Sequence, residues 1–592
     1  MLDLRPIPAN VSSTAAAKLP RFLLLAILIL FIVPGLFDRA VWTVREGAAF
    51  GQFWEMAHGD FVSWIFPMAS GLVITDHGPL SIWAGAILMR LLGNEFTPVV
   101  AARITACLWF AITTASIWYG TWYLARRKEA QPLGTIFADQ ATYRDYGRMV
   151  ADAATLFFIA LFGLVIRLRE PTYDSAELAF CSLAFFSCAW ALTRPYFGAA
   201  LAGVACAGLM LTASLILGIA ALLACLFSFL MLPTRGKTDK KLSITLAVTV
   251  LLFSLWPLAA WVTSSEVISD YFLLWAQKQV EYFGFLSFEE LDWFVRHVLW
   301  YLCPVWPFAI LGFVKWRKHK TAPFMALPAV FLSVWFVGFL VSGSLSAEDL
   351  LNLIIAPLCT VAAFGLISAK RSFQSMLDGF ALTITTLGLL GVWAYWFAWL
   401  MGFPPKMAKS IINLAPTAQA SEAGFLGILL ALTATVAWCR VGYKRLQRRS
   451  PVLWNGPWLS AVGMVVLWIV VVNLFTQAVN ENRSYEPVGQ AVRAQLDKLG
   501  FQPDDCLKTV GASQGVASLI SYYGHMPVTA GKSMVCRFEL LRFDVDDKKY
   551  QSLLKDRAED IIKRPRTDER FIVRRFYPGS FFFIESGNPQ RL

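Results

Sequence analysis

Charge is what this 592-residue chain has least of: only 16% of its residues are Asp, Glu, Lys or Arg, against roughly 25% in soluble domains. That scarcity excludes a large soluble enzyme. Paired cysteines are missing too. No Cys-x-x-Cys occurs, and eight of the ten cysteines (Cys107, Cys181, Cys188, Cys206, Cys225, Cys303, Cys359 and Cys439) stand singly in apolar runs, where they act as small hydrophobes and not as metal ligands. No spacing matches a zinc or calcium motif. The net charge is +12, but the basic residues fall in short clusters between apolar runs. That is how topology signals are distributed, so no nucleic-acid partner is implied.

What the chain has in quantity is apolar surface. Hydrophobic residues make up 57% of it, with 23 Trp and 46 Phe, on repeated runs of about 20 residues that suit a bilayer. The first run, Phe22 to Phe37, follows Arg5, Lys18 and Arg21 and lacks a small-x-small cleavage site. It reads as a retained signal-anchor with a cytoplasmic N-terminus. Thirteen candidate spans follow from the pattern, near 22–40, 98–125, 150–167, 174–192, 196–212, 214–232, 243–263, 293–314, 323–341, 351–369, 377–400, 424–440 and 453–475. With thirteen, each dense basic cluster falls on one side: Arg126 to Lys128, Arg235 to Lys241, Lys315 to Lys320, Lys370 with Arg371, and Arg440 to Arg449. The positive-inside rule is then obeyed throughout.

The other side receives Glu46, Glu55, Asp60, Asp76, Asp174, Glu177, Glu281, Glu289, Glu290, Asp292, Glu348 and Asp349, and everything after Thr476. It also receives a long loop, 41–97. Within it Phe50, Phe53, Trp54 and Ala57 recur at helical spacing, and Pro79 to Leu92 is apolar over about four turns. Both read as helices along the membrane surface. The tail reads as a small α/β domain: a strand over Lys508 to Ala512, a helix over Ser513 to Tyr523, and strands over Phe571 to Phe576 and Phe581 to Glu585 joined by Pro578-Gly579. In an oxidising periplasm Cys506 and Cys536 could pair or stay as free thiols.

Three short constellations meet this outer surface: Arg45-Glu46-Gly47, Asp76-His77-Gly78-Pro79-Leu80, and Tyr173-Asp174. Charged groups where helix ends meet lipid are costly unless hydrated or paired, so their convergence points to a polar cavity. In this order they resemble the integral-membrane glycosyltransferases that use polyprenyl-phosphate sugars, the lipid A aminoarabinose transferases and protein O-mannosyltransferases of the GT-C class. The family's aromatic residue followed by Asp-Glu is matched by Trp42-Thr43-Val44-Arg45-Glu46. Its acid, base and Pro-Pro-Leu-x-x-Trp run is matched by Asp76-His77-Gly78-Pro79-Leu80-Ser81-Ile82-Trp83, and its Asp opening the fourth span by Asp174. The chain departs from the pattern at Arg45, which replaces an acid, at His77, which replaces Lys, and at Gly78, which replaces Pro. Ser342 to Asp349 holds Glu348 and Asp349 and no counterpart of a further family Lys.

The resemblance implies an all-α polytopic membrane bundle of about 13 transmembrane helices, residues 1–475, carrying a periplasmic α/β domain, residues 476–592, in a bacterial inner membrane. It implies an enzyme moving a sugar from an undecaprenyl-type phosphate carrier to lipid A, a glycan or a protein, working as a monomer with no nucleic acid. The donor's lipid tail stays in the bilayer, so the reaction must occur at the surface. A leaving phosphate needs fixed cations or dipoles, for which Arg45, Arg103, His77, Arg167, Arg169 and Lys278 are candidates, with Asp76 beside them. The attacking hydroxyl needs a carboxylate, for which Glu46 and Asp174 are the choices, expected to meet in one wet pocket. Use of a divalent metal is left open, as are two rival readings: a lipid-linked-sugar transporter, and a catalytically silent relative that binds such a sugar.

Overall fold

The computed structural model describes residues 11, 16 and 19–575, apart from 133–140, 233–235, 264, 448–452, 532–535, 548–559 and 565–566. Helices dominate it because the apolar runs can satisfy their backbone only internally. In chain order they are α1 (Arg21–Ile32), α2 (Val44–His58), α3 (Phe61–Ile65), α4 (Leu80–Leu92), α5 (Pro98–Ala125), α6 (Tyr143–Ile159), α7 (Tyr173–Ala191), α8 (Pro195–Met210), α9 (Leu215–Met231), α10 (Thr238–Thr263), α11 (Ser265–Glu281), α12 (Phe288–Tyr301), α13 (Val305–Lys315), α14 (Pro323–Leu340), α15 (Ala347–Ile367), α16 (Arg371–Met401), α17 (Pro405–Leu414), α18 (Gly424–Gln447), α19 (Asn455–Arg483), α20 (Glu486–Lys498) and α21 (Gln514–Gly524).

Each of the thirteen expected segments contains an α-helix, though not always over its full length. Among the described residues seven helices are long and apolar enough to cross a membrane, or nine if each of two bent pairs counts as one span. The bends are corrections to the sequence reading. The segment expected at 150–167 is α6 followed by short 3₁₀ turns at 61° to it, and that expected at 293–314 is α12 and α13 meeting at 88°. Pro304 lies at the second break, where a missing N–H ends the helical ladder. The first run also stops early, because Pro34 follows α1 and Gly35 takes a positive φ of 82°. The helices α11 and α17 were not foreseen.

The core of the bundle is α15, flanked by α6, α7, α13 and α14, with nearly every residue of α15 buried. A second apolar cluster joins α16, α18 and α19. A cavity of about 800 Å³ separates this leaf from α1; Leu30, Leu426 and Ile469 line it, and Arg45, Asp174 and Glu348 do not.

The first loop and the tail share one core. Phe50 and Phe53 of α2 pack with Ile82 of α4, Val516 and Leu519 of α21, and Val492 of α20. The helix α2 therefore lies between α4 and α21, with its apolar face covered by protein. Gly47, Gly51 and Gly515 permit the close crossing of α2 and α21: a Cβ on Gly515 would overlap the Val44 carbonyl oxygen. A hairpin of β1 (Met68–Ala69) and β2 (Leu72–Val73) reaches into the tail, where Ala530 N donates to Ser70 O at 2.7 Å.

The tail carries a five-stranded sheet of β3 (Leu507–Val510), β4 (Val528–Thr529), β5 (Phe538–Asp544), β6 (Ile562–Lys563) and β7 (Glu569–Arg575), in the order β4-β3-β5-β7-β6. β3 runs parallel to β4 and β5, with Leu507 opposite both Val528 and Phe538, while β7 is antiparallel to β5 and β6. The expected strand at Phe571 is β7; its proposed partner at Phe581 to Glu585 lies outside the described residues. Cys506 and Cys536 are disulfide-bonded, with Cα atoms 5.1 Å apart. The α19 helix runs unbroken through residue 475 to Arg483, so bundle and tail are joined by a continuous rod.

Candidate active site

The chain between α1 and α2 is held by two side chains, the half-buried Asn480 and the buried Arg103. Asn480, near the end of α19, accepts from Ala40 N at 2.8 Å and from Trp42 Nε1 at 2.7 Å. Arg103 of α5 donates to the carbonyls of Arg39 and Ala40. Thr43 then caps α2, its hydroxyl accepting from Glu46 N at 3.1 Å and donating to Glu170 Oε1 at 3.1 Å.

Glu46 is enclosed by this frame. Its Oε1 accepts from Arg39 Nη2 at 3.0 Å and Arg103 Nε at 2.8 Å, its Oε2 from Trp42 N at 3.3 Å. The carboxylate is 1% exposed and both guanidinium groups are fully buried. Burial alone would raise its pKa, but the two arginines outweigh it and the net shift is downward. Glu170 lacks such neutralisation: burial, with the charge of Glu46 adding, pushes its pKa up to about 7. Arg169 is also occupied, donating to the Val165 and Phe31 carbonyls and lying against the rings of Phe31 and Trp468.

One residue away on α2, Arg45 points into a different cluster. Its Nη1 is 3.4 Å from Asp174 Oδ2 and 3.8 Å from Glu348 Oε2, and its Nη2 is 3.9 Å from Asp349 Oδ1. Arg167 binds the same three carboxylates: Asp174 Oδ1 at 3.2 Å, Glu348 Oε1 at 3.1 Å, and Asp349. Its Nη1 also donates to Tyr301 Oη at 3.2 Å. Asp174 opens α7, and Glu348 and Asp349 open α15, where helix N-termini favour negative charge. Behind them Glu177 Oε1 accepts from Asn352 Nδ2 at 3.1 Å. This cluster is not sealed: Arg45 is 46% exposed and Glu348 27%, while Asp174 and Asp349 are buried.

His77 adjoins the cluster. Its ring stacks on Tyr173 at 4.6 Å, its Nε2 lies 3.2 Å from Gln52 Oε1, and its buried Nδ1 has no partner. Burial lowers its pKa below the usual value, which keeps the ring neutral near pH 7. Asp76 is exposed and hydrogen-bonds Tyr282. Lys278 lies over the Tyr282 ring and pairs with Glu281 at 3.0 Å.

The expected residues thus form two clusters back to back across the first turn of α2. Asp174, Arg45 and Arg167 meet directly, with His77 adjacent. Glu46, Arg103 and Arg169 lie in the buried frame, so Glu46 and Asp174 do not face one wet pocket in this conformation: the bonds that fix α2 enclose the carboxylate of Glu46. Sequence reasoning missed Arg39 and Tyr301, and it did not pair Glu348 and Asp349 with the arginines. A lone arginine at the end of a span opposite the basic clusters was the available signal for Arg39. Among the described residues no group of three or more His, Cys, Asp or Glu is placed to hold a metal ion.

Comparison with solved structures places this architecture. The chain superimposes on ArnT from Cupriavidus metallidurans bound to undecaprenyl phosphate with a TM-score of 0.64, covering 93% of this chain and 97% of that one at 15% identity. The chain shares the ArnT fold. The apo state of the same enzyme gives a TM-score of 0.62 at the same identity and coverage. No protein-family model and no curated protein matches the sequence.

Proposed function

We propose that the protein is a membrane glycosyltransferase that moves one sugar from a polyprenyl-phosphate carrier to an acceptor in the bacterial envelope, such as lipid A, a glycan or a protein. The observation that carries this reading is the half-open cluster of Arg45, Arg167, Asp174, Glu348 and Asp349 at one end of an ArnT-like bundle. The undecaprenyl phosphate bound by ArnT supports the choice of carrier. In this reading the tail is periplasmic and the basic clusters are cytoplasmic, as the charge bias requires.

The acceptor hydroxyl attacks the anomeric carbon from the face opposite the phosphate, and the configuration inverts. The cations with open faces, Arg45 and Lys278, meet the donor phosphate and compensate its charge as it leaves. His77, with an unpartnered Nδ1, supplies a neutral hydrogen-bonding contact beside them. Asp174 holds Arg45 and Arg167 in place, and a carboxylate of their cluster orients the hydroxyl. Glu46, with Arg39 and Arg103, fixes the turn of α2 from which Arg45 projects. Asp174 is thus retained at the reacting end of the site, whereas Glu46 acts through the position of α2.

The test is transfer of radiolabel from undecaprenyl-phosphate-linked glucose, mannose and aminoarabinose to an envelope extract, by wild type, Asp174→Asn and Glu46→Gln protein in lipid nanodiscs. Transfer by wild type, depressed in both variants, is the expected result. Label that crosses a bilayer without a new glycosidic bond would establish the transporter instead.

A further inference from the structure

Glu348 stands apart from the other carboxylates of the site. Asp174 and Asp349 are buried, Glu46 is enclosed by two arginines, and Glu177 is hydrogen-bonded to Asn352 on buried faces of α7 and α15. Glu348 alone combines membership of the cluster with 27% exposure, and it shares that opening with Arg45. Its Oε1 is held by Arg167 Nη1 at 3.1 Å, while among the described residues its Oε2 has only the looser approach of Arg45 at 3.8 Å. One oxygen is therefore anchored and the other is available.

Charge balance points the same way. Arg45 and Arg167 contribute two positive charges, and Asp174, Glu348 and Asp349 three negative ones. The group carries one net negative charge, and Glu348 is the carboxylate in it that a bound molecule can reach. Arg45 is also the movable partner: it is half exposed on a long, flexible stem, and each of its contacts in the cluster is 3.4 Å or longer. An arriving phosphate can draw it away from Glu348 without disturbing the Arg167 contacts.

Resting on the glycosyltransferase reading above, we propose that Glu348 is the general base of the reaction. The acceptor O–H proton passes to Glu348 Oε2 as the acceptor oxygen bonds to the anomeric carbon. The bond from that carbon to the phosphate oxygen breaks, and its electron pair leaves with the polyprenyl phosphate. Binding of the donor phosphate by Arg45 readies the base, so acceptor activation follows donor arrival.

The experiment uses the full chain in lipid nanodiscs, with the same three undecaprenyl-phosphate sugars and envelope extract. It measures single-turnover rate and donor affinity for wild type, Glu348→Gln and Glu348→Asp. Glu348→Gln is expected to lose about 100-fold or more in rate, the scale of a general base. It should bind donor within about threefold of wild type, a loss confined to the chemical step. Glu348→Asp, which keeps a base on a shorter stem, should recover part of the rate. If wild type transfers sugar and Glu348→Gln does so at a rate within about threefold of it, the base lies elsewhere while the transferase reading stands. If Glu348→Gln loses donor binding along with rate and Glu348→Asp does no better, the residue is a structural anchor and the proposal fails. If wild type transfers nothing from any of the three donors, the transferase reading falls and this inference with it.

Discussion

Replacing Glu46 by Gln tests the frame on which the site is built. The substitution keeps the shape of the side chain and removes its charge from between Arg39 Nη2 at 3.0 Å and Arg103 Nε at 2.8 Å. Both guanidinium groups are fully buried and would face each other without the carboxylate that bridges them. Breaking a buried pair by deleting one partner costs about 3–5 kcal/mol, because the remaining charge is left uncompensated. The retained amide oxygen can still accept one hydrogen bond, which places the expected loss near the lower figure. Removing all three charges together, as Arg39→Leu, Glu46→Leu and Arg103→Leu, should cost less than the single change, since no buried charge is then left alone. Chemical unfolding in mild detergent, followed by Trp fluorescence, reads both. The pH dependence has a definite sign. The folded pKa of Glu46 is depressed, so its stabilisation is complete above the unfolded value of about 4.3 and is lost as pH falls through the lower folded value. A Glu46→Gln protein within about 0.5 kcal/mol of wild type at neutral pH, the scatter of ordinary surface changes, would refute the reasoning.

Glu170 should behave in the opposite sense. Its folded pKa of about 7 lies above the unfolded value, so stability falls as pH rises from roughly 4.3 to above 7, by about 4 kcal/mol in total; Glu170→Gln should flatten that fall in a pH series of melts. Gly515→Ala forces a methyl group onto the Val44 carbonyl and should cost about 1–3 kcal/mol by overpacking, with protease nicking of the first loop as the readout. The bond between Cys506 and Cys536 spans 30 residues, and Cys506→Ser should cost the tail about 3–4 kcal/mol, measured by denaturation without reductant.

The sequence was most legible where a single solvent dictated the pattern. Apolar runs facing lipid or packed helices must be helical, so α5 and α14 begin and end within a residue of their expected limits. It was least legible where a helix is amphipathic and packs on other protein: α11 and α17 look like loops to a test for continuous hydrophobicity. The bends after α6 and α12 depend on packing around breaks in the backbone ladder, which a run of apolar letters does not reveal. At the site, the residue types were visible and their partners were not. Arg45 stands where the resembled enzymes have an acid, and Glu348 and Asp349 where they have a Lys; the structure shows these departures touching, so the sign exchange at one end is answered at the other. Glu46 and Arg45 are adjacent in sequence but leave the first turn of α2 in different directions, which separates their chemistry.

The seat of α2 has a consequence for how the molecule is made. This helix emerges among the first sixty residues, yet the surface that covers it, α20 and α21, is synthesised last. Until the ribosome has nearly finished, Phe50 and Phe53 have α4 on one side but lack their partners on α20 and α21, and contacts so distant along the chain form slowly. The final seating of the arm that carries Arg45 is thereby deferred to the end of translation, and a truncated chain would insert its spans but leave one face of α2 uncovered.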